Sequence, residues 1–208
     1  MDMGLERISD LLSQMAELSE KSVTTAIDAY LAGNNPTEQI REWSDQLRKA
    51  EDDVSDLTIE VIARYQPVAS DLRFIKASME VSYGFSRLGR YALDIAEVLD
   101  MFGGSLLKCD HEVVELTAKT TKEMIRMSID AFTNRDVDLA KNIPELDDYV
   151  DEKYRSNMQT LLKNPNQDMN CAVSTTLILR YLERIADHAA YVGESVVYIV
   201  TGERTPRK

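Results

Sequence analysis

The apolar residues of this chain recur at steps of three and four positions, which is the spacing of one face of an α-helix. The first such stretch runs from Leu5 to Leu31 and ends at Gly33, and similar stretches follow it along the chain. Runs of β-branched and aromatic residues, which would indicate strands, are mostly absent apart from VVYIV at 196–200. The pattern therefore predicts an all-α protein.

Residues that start or stop a helix divide the first half into three segments. Asn35 is placed to cap the second helix, with Pro36 in its first turn and Glu38 completing a box of capping interactions. Pro67 stops that helix after Gln66. The second helix is therefore predicted to lie between Asn35 and Gln66.

The third helix is predicted to use Ser70 as its cap and to end at Gly103 and Gly104. Helices of roughly thirty residues are about 45 Å long, because each residue adds about 1.5 Å. Rods of that length are typical of a helical bundle. We expect three of them side by side.

The second half repeats this plan. Its three helices are predicted between the boundary residues Asp110 and Asn134, then Asp136 and the NPNQD segment at 164–168, and finally about Thr201 and Gly202. Pro144 lies inside the fifth helix, where a proline kinks or restarts the chain. Three helices, a break and three more helices indicate an internal duplication. We predict two tandem three-helix-bundle repeats, residues 1–104 and 105–208.

The charge of the chain excludes some partners. With 24 basic and 36 acidic side chains, the formal net charge is −12, which repels nucleic acid and anionic lipid. No segment approaches the roughly 18 consecutive apolar residues that span a bilayer, and the N-terminus lacks a basic leader followed by an apolar stretch. We expect a cytoplasmic protein with no membrane insertion.

The two cysteines, Cys109 and Cys171, form no CxxC motif, and no histidine lies at zinc-finger spacing from them. We expect two reduced thiols of minor structural importance.

Two pairs of acids suggest chemistry. Glu183 and Asp187 lie four positions apart in RYLERIADHAAY, and Asp147 and Asp151 lie four apart in ELDDYVDEKY. Because the fifth and sixth helices are joined by a short break, they should be antiparallel neighbours whose acids can face each other. Four carboxylates suit Fe, Mn, Mg or Ca better than structural Zn.

Simpler explanations are open for the same residues. Arg180 and Arg184 can compensate the like charges on the sixth helix, and an acidic run such as DDYVDE is most often a solvated helix face. His188, next to Asp187, can donate one nitrogen to a metal ion or be an ordinary packed residue.

Three segments in this order resemble the PhoU family of phosphate-transport regulators: QPVASDLR at 66–73, DDYVDEKY at 147–154 and LERIADHA at 182–189. The resemblance covers nearly the whole chain. It implies a non-catalytic, cytoplasmic adaptor, a homodimer in many cases, that negatively regulates phosphate uptake through a phosphate ABC transporter. The implied partners are the ATP-binding subunit of that transporter and a phosphate-sensing histidine kinase.

The resemblance also implies a metal site. Each half of the family carries an acid-xxx-Asp pair on its middle helix and a Glu-xxx-Asp pair on its last helix, and in some members these pairs hold iron or other metal ions. The matching residues of the second half are Asp147, Asp151, Glu183 and Asp187. The implied cofactor is a metal ion, Fe, Mn or Mg.

The first half departs from that pattern. Its corresponding positions are Glu51, Ser55, Ser86 and Arg90, so three of four ligands are missing. An arginine does not lose its proton and opposes a bound cation. We predict that Arg90 reaches Glu51 or its neighbours as an internal counter-ion and that this half holds no metal.

Two alternative functions belong to other classes. A carboxylate-bridged di-iron enzyme needs Glu-x-x-His pairs on two helices, and neither His111 nor His188 fits that spacing. The other alternative is a helical scaffold without metal.

Overall fold

The computed structural model describes residues 1–34, 36–164 and 166–204, and for residues 104, 105 and 107 it describes the backbone alone. Within these ranges the chain forms α-helices and a short 3-10 segment, and no strand. The helices are α1 (Asp2–Ala32), α2 (Thr37–Tyr65), α3 (Ala69–Phe102), α4 (Glu112–Asn134), α5 (Val137–Lys163) and α6 (Met169–Thr201), with the 3-10 segment at Gly103–Lys108. The all-α prediction is confirmed, and VVYIV lies inside α6.

The first helices end where the sequence contains residues suited to a left-handed turn or a stop. Gly33 follows α1 with φ of 71°, and its N–H donates to the Ala29 carbonyl. Gln66 follows α2 with φ of 47°, directly before Pro67. Asn35, the predicted cap of α2, lies outside the described residues.

The start of α3 differs from the prediction. The helix begins at Ala69, one residue before Ser70. Its N-cap position is Val68, an apolar residue that cannot cap the helix with its side chain. The Ser70 hydroxyl instead lies 3.5 Å from Asp71 Oδ1. The apolar periodicity located this helix correctly, but the capping residue was wrong.

Side-chain caps hold the starts of α5 and α6. The Asp136 carboxylate accepts a hydrogen bond from the Leu139 N–H at 2.9 Å, which confirms the predicted start of α5. Asp168 accepts from the N–H groups of Asn170 and Cys171 at 2.9 and 3.1 Å. These contacts satisfy backbone donors that the first turn of a helix leaves free.

The predicted limits of α4 and α5 need small adjustments. α4 begins at Glu112, whose N–H donates to Asp110 Oδ1 at 2.9 Å, and it ends at Asn134 as predicted. Pro144 lies within α5, which continues through it without interruption.

The bundle is built around α3 and α6, which pack against each other. Arg73 of α3 lies beside Ile199 of α6, whereas Gly84 lies beside Val192, so the two helices run antiparallel. A Cβ at Gly84 would lie 3.1 Å from Val192 Cγ2, which shows how closely the helices approach.

The remaining helices form two groups around this central pair. α1 and α2 pack on α3, whereas α4 and α5 pack on α6, and α1 also contacts α4. The buried apolar faces of the helices merge into a continuous core. Within the described ranges, none of the helices is both long and apolar enough to span a lipid bilayer.

The prediction of two reduced thiols was wrong. Cys109 and Cys171 form a disulfide, with their Cα atoms 5.4 Å apart. The first lies in the segment leading into α4, and the second lies in the first turn of α6. Because α4 packs on α6, residues 62 positions apart come together, and no local motif could reveal this.

Candidate metal-binding site

The four acids of the second half lie on the two helices that the sequence predicted. Asp147 and Asp151 are on α5, Glu183 and Asp187 are on α6, and these two helices pack along each other. Glu183 is buried, and the other three side chains are partly buried. Burying carboxylates at a helix seam is unfavourable unless cations or hydrogen bonds compensate them.

Arginines provide this compensation on α6. Arg180 lies 2.6 Å from Glu183 Oε1. Arg184 lies between the two acids, 3.3 Å from Glu183 Oε2 and 3.1 Å from Asp187 Oδ2. The simpler explanation raised by the sequence, that arginines balance this acidic pair, therefore describes the geometry of the side chains.

The acids of α5 and α6 influence one another electrostatically. Burial raises the pKa of the Glu183 carboxyl, and the charge of Asp187 raises it further. Burial also raises the pKa of Asp187, which Arg184 lowers and Asp151 raises. On α5, Asp151 pairs with Arg155 at 2.6 Å. Asp151, Glu183 and Asp187 therefore share one electrostatic environment across the seam.

These residues fit a metal ion in their chemistry but not in their present arrangement. Carboxylate oxygens are the ligands that hard cations prefer. However, no group of three or more His, Cys, Asp or Glu side chains is arranged to hold a metal ion in the part of the chain that the structure describes. A cation at this seam would have to replace Arg184 as the partner of Glu183 and Asp187.

Comparison with known proteins decides the family. The PhoU domain model matches residues 12–99 and again residues 114–196. The chain belongs to the PhoU family. The two matched ranges confirm the resemblance noted in the sequence, and the fold is a tandem pair of PhoU domains. The repeat boundary between residues 104 and 105 stays a prediction.

Relatives of known sequence align along most of their length. The chain is 31% identical over 204 residues to the phosphate-specific transport system accessory protein PhoU homolog of Pseudomonas aeruginosa, covering 95% of this chain and 84% of that protein. It is 30% identical over 203 residues to the corresponding protein of Pseudomonas putida, covering 95% and 79%.

Solved structures agree on the fold. The crystal structure of PhoU from Pseudomonas aeruginosa superposes with a TM-score of 0.87 at 28% identity, covering 97% of this chain and 99% of that one. The phosphate transport system regulatory protein PhoU from Streptococcus pneumoniae gives a TM-score of 0.89 at 21% identity, covering 99% of both chains. The second likeness concerns the fold alone.

The first PhoU domain of the chain does not form the ion pair that we predicted. Arg90 lies 2.7 Å from Asp94 Oδ1, one turn along α3, and among the described residues no ion pair joins it to Glu51 or to the acids beside it on α2. Burial raises the pKa of Asp94, and Arg90 partly offsets this effect. An acid four positions away on the same helix is a nearer partner for Arg90 than a residue on α2.

His188 packs against tyrosines of α3 rather than beside the acids of α5. Its imidazole lies edge-on to the rings of Tyr83 and Tyr191, with centroids 5.6 Å away in both cases, and tilted to Tyr91 at 5.8 Å. Two of these three tyrosines belong to α3. Only 8% of the histidine is exposed, and its Nδ1 has no hydrogen-bond partner among the described residues.

The surroundings keep this imidazole neutral. Burial lowers the pKa of His188 to about 4, and the positive charges of Arg87 and Arg184 act in the same direction. Sequence reasoning placed His188 beside the acids because Asp187 precedes it, and it missed the contacts with Tyr83 and Tyr91. These two tyrosines lie on α3, so the sequence around His188 gave no signal of them.

Proposed function

We propose that this protein is a cytoplasmic, non-catalytic accessory protein that negatively regulates phosphate uptake through contact with a phosphate ABC transporter. The match of both PhoU domains carries the proposal. The names of the Pseudomonas relatives, accessory proteins of a phosphate-specific transport system, support the same role.

The ATP-binding subunit of the transporter is the partner that we propose first. Long helices offer faces on which a few buried anchor residues can supply the affinity, as in other protein interfaces. The net charge of −12 favours approach to basic patches on a partner. A phosphate-sensing histidine kinase is a second proposed partner, and the adaptor is proposed to act as a homodimer.

Binding to the transporter subunit is tested directly with purified proteins. The chain is titrated with the ATP-binding subunit of the phosphate importer from the same organism, and the matched control is the ATP-binding subunit of an unrelated importer. We expect saturable binding to the first protein only. Equal binding to both subunits, or to neither, would contradict the proposed partner.

Regulation is tested in cells by measuring uptake of radiolabelled phosphate. Deletion of the gene should raise uptake under phosphate-rich conditions, and expression of the intact chain should restore the lower rate. An unchanged uptake rate in the deletion strain would refute negative regulation. Sedimentation velocity of the purified chain tests the homodimer separately.

We further propose that Asp147, Asp151, Glu183 and Asp187 bind one metal ion, Fe, Mn or Mg. The proposal is supported by the placement of all four acids on the neighbouring helices α5 and α6. It is also supported by the charge of Asp151, which raises the pKa values of both Glu183 and Asp187 across the seam. The neighbouring arginines support the alternative of a metal-free scaffold, because they already neutralise Glu183 and Asp187. No observation here favours an oxidase, since the histidines lack Glu-x-x-His spacing.

Metal analysis separates these two possibilities. Purified protein should carry one ion per chain, and Asp147→Asn with Glu183→Gln should remove it. Asp45→Asn with Glu42→Gln serves as a matched control, because it removes the same two charges from exposed acids of α2. Two ions per chain would refute the assignment to the second domain alone. Purified protein that carries no metal, with stability and partner binding unchanged in the Asp147→Asn, Glu183→Gln variant, would favour the scaffold.

A further inference from the structure

A cavity lies between α3 and α6, away from the proposed metal ligands Asp147 and Asp151 on α5. Its volume is about 720 Å³, which is within the range of small-molecule sites. The lining residues that matter for binding are Lys76 and Tyr83 of α3, His188, Tyr191 and Tyr198 of α6, and Arg204 after it. Neither the family match nor the proposed adaptor role assigns a ligand to it.

One end of the cavity is aromatic. Tyr83 and Tyr191 pack against the edge of the buried His188 ring, yet they remain 49% and 40% exposed. Aromatic faces held in place by a buried ring and left accessible can stack a flat ligand with little loss of conformational freedom. Arg87, stacked on Tyr91 with its guanidinium carbon 4.7 Å from the ring centre, adds a positive charge behind this end.

The other end of the cavity is cationic. The Lys76 ammonium lies 5.0 Å from the centre of the Tyr198 ring, and the Arg204 guanidinium lies 5.8 Å from it. Ten positions separate His188 from Tyr198 on α6, which is about 15 Å along the helix axis. The stacking groups and the cations are therefore at opposite ends of one elongated cavity.

Acidic residues limit how strongly this site can attract an anion. Glu80 lies 2.6 Å from the Lys76 ammonium, Glu194 also lines the cavity, and the whole chain carries a net charge of −12. Lys76 and Arg204 balance these two acids, so the charged side chains of the lining sum to zero in a chain that is otherwise strongly acidic. Both cations of the lining lie at the Tyr198 end, whereas Arg87 lies behind the aromatic end and does not line the cavity. The Tyr198 end is therefore where the cavity can hold an anionic group of a ligand.

We propose that the cavity between α3 and α6 binds an aromatic ring that carries an anionic group, in the form of a nucleoside phosphate. The ring stacks on Tyr83 and Tyr191 beside His188. The phosphates lie next to Lys76 and Arg204. This proposal is independent of the metal site and of the transporter partner.

Isothermal titration calorimetry at fixed ionic strength tests the ligand class. The full chain is titrated with ADP, with adenosine and with pyrophosphate, so that the ring and the phosphates are measured separately. We expect saturable binding of ADP that is tighter than binding of either fragment. No saturable binding of ADP at millimolar concentration would overturn the proposal, and so would equal affinity for ADP and pyrophosphate.

Variants test the position of the ligand. Tyr83→Ala should weaken binding of both ADP and adenosine at least about fivefold, because a stacking face is lost. Lys76→Gln should weaken ADP binding several-fold and leave adenosine binding unchanged. The matched controls are Tyr65→Ala, an equally exposed tyrosine on α2, and Lys119→Gln, an exposed lysine on α4. If Tyr83→Ala and Lys76→Gln leave the affinity for ADP unchanged, or if the control variants lower it equally, the ligand binds elsewhere and the site is refuted.

Discussion

Cys109 and Cys171 are joined by a disulfide that connects the segment before α4 to the first turn of α6. The residues are separated by 62 positions, and both α4 and α5 lie within the loop that the bond closes. A crosslink of this kind restricts the unfolded chain much more than the folded one. In the second PhoU domain, the disulfide therefore closes a covalent loop that contains two of the three helices, α4 and α5.

Reduction of this bond should lower the free energy of unfolding by about 2 to 4 kcal/mol. Urea unfolding with and without dithiothreitol measures the change. A Cys109→Ser, Cys171→Ser double variant is the control, because reductant should leave its unfolding midpoint unchanged. If reductant also fails to shift the midpoint of the natural chain, the thiols are free in solution.

Removal of the Asp136 cap should destabilise the second domain. Asp136→Ala deletes the carboxylate that accepts from the Leu139 N–H, and loss of such a cap costs about 1 kcal/mol. Asp136→Asn keeps an oxygen acceptor and should behave almost like the natural chain. Chemical denaturation of both variants measures the difference, and equal losses would show that charge rather than capping matters here.

A glycine at position 66 should stabilise the first domain. Gln66 adopts a left-handed conformation, with φ of 47°, at the end of α2 and is exposed. Glycine adopts this conformation without a steric penalty, so Gln66→Gly should raise the free energy of unfolding by up to about 1 kcal/mol. Gln66→Ala keeps the Cβ and should give no gain. If alanine raised the free energy of unfolding and glycine did not, helix propensity rather than the left-handed conformation would determine stability at position 66.

Most predictions with a local cause were correct. The end of α1 at Gly33, the stop before Pro67 and the start of α5 after Asp136 each depend on neighbouring residues and were predicted correctly. The Ser70 cap is the exception, because α3 begins one residue earlier. The duplication followed from apolar periodicity in the same way.

Contacts between distant residues could not be predicted from the sequence. The Cys109–Cys171 bond depends on how α4 and α6 pack, and the contact of His188 with Tyr83 depends on the register between α3 and α6. The candidate site is an intermediate case. Spacing identified both the acids and Arg184 as neighbours, but spacing alone does not decide whether a carboxylate prefers an arginine or a metal ion.

The buried His188 should make stability depend on pH. The positive groups near it are Arg87 on α3 and Arg184 on α6, and the titratable rings packed on it are Tyr83, Tyr91 and Tyr191. Its pKa is lowered from 6.5 to about 4, so at intermediate pH the unfolded chain binds a proton that the folded chain does not. This contribution is complete above pH 6.5 and is lost progressively as the pH falls towards 4.

The size of this loss is of order 3 kcal/mol, since each pKa unit corresponds to about 1.4 kcal/mol. The raised pKa values of Asp94, Glu183 and Asp187 act in the opposite direction, because those folded carboxyls hold protons more tightly than unfolded ones. The histidine contribution is therefore isolated by comparing the natural chain with His188→Gln.

Urea unfolding of metal-free protein at pH 7.5 and pH 5 provides this comparison. The natural chain should lose more stability than His188→Gln over that interval, because only the natural chain has a histidine at this position to protonate on unfolding. NMR titration gives an independent check, since His111 and His188 are the two histidines of the chain. A His188 signal that titrates near 6.5, together with equal pH dependence of the two proteins, would mean that water reaches the imidazole and that the tyrosines around it are not closely packed.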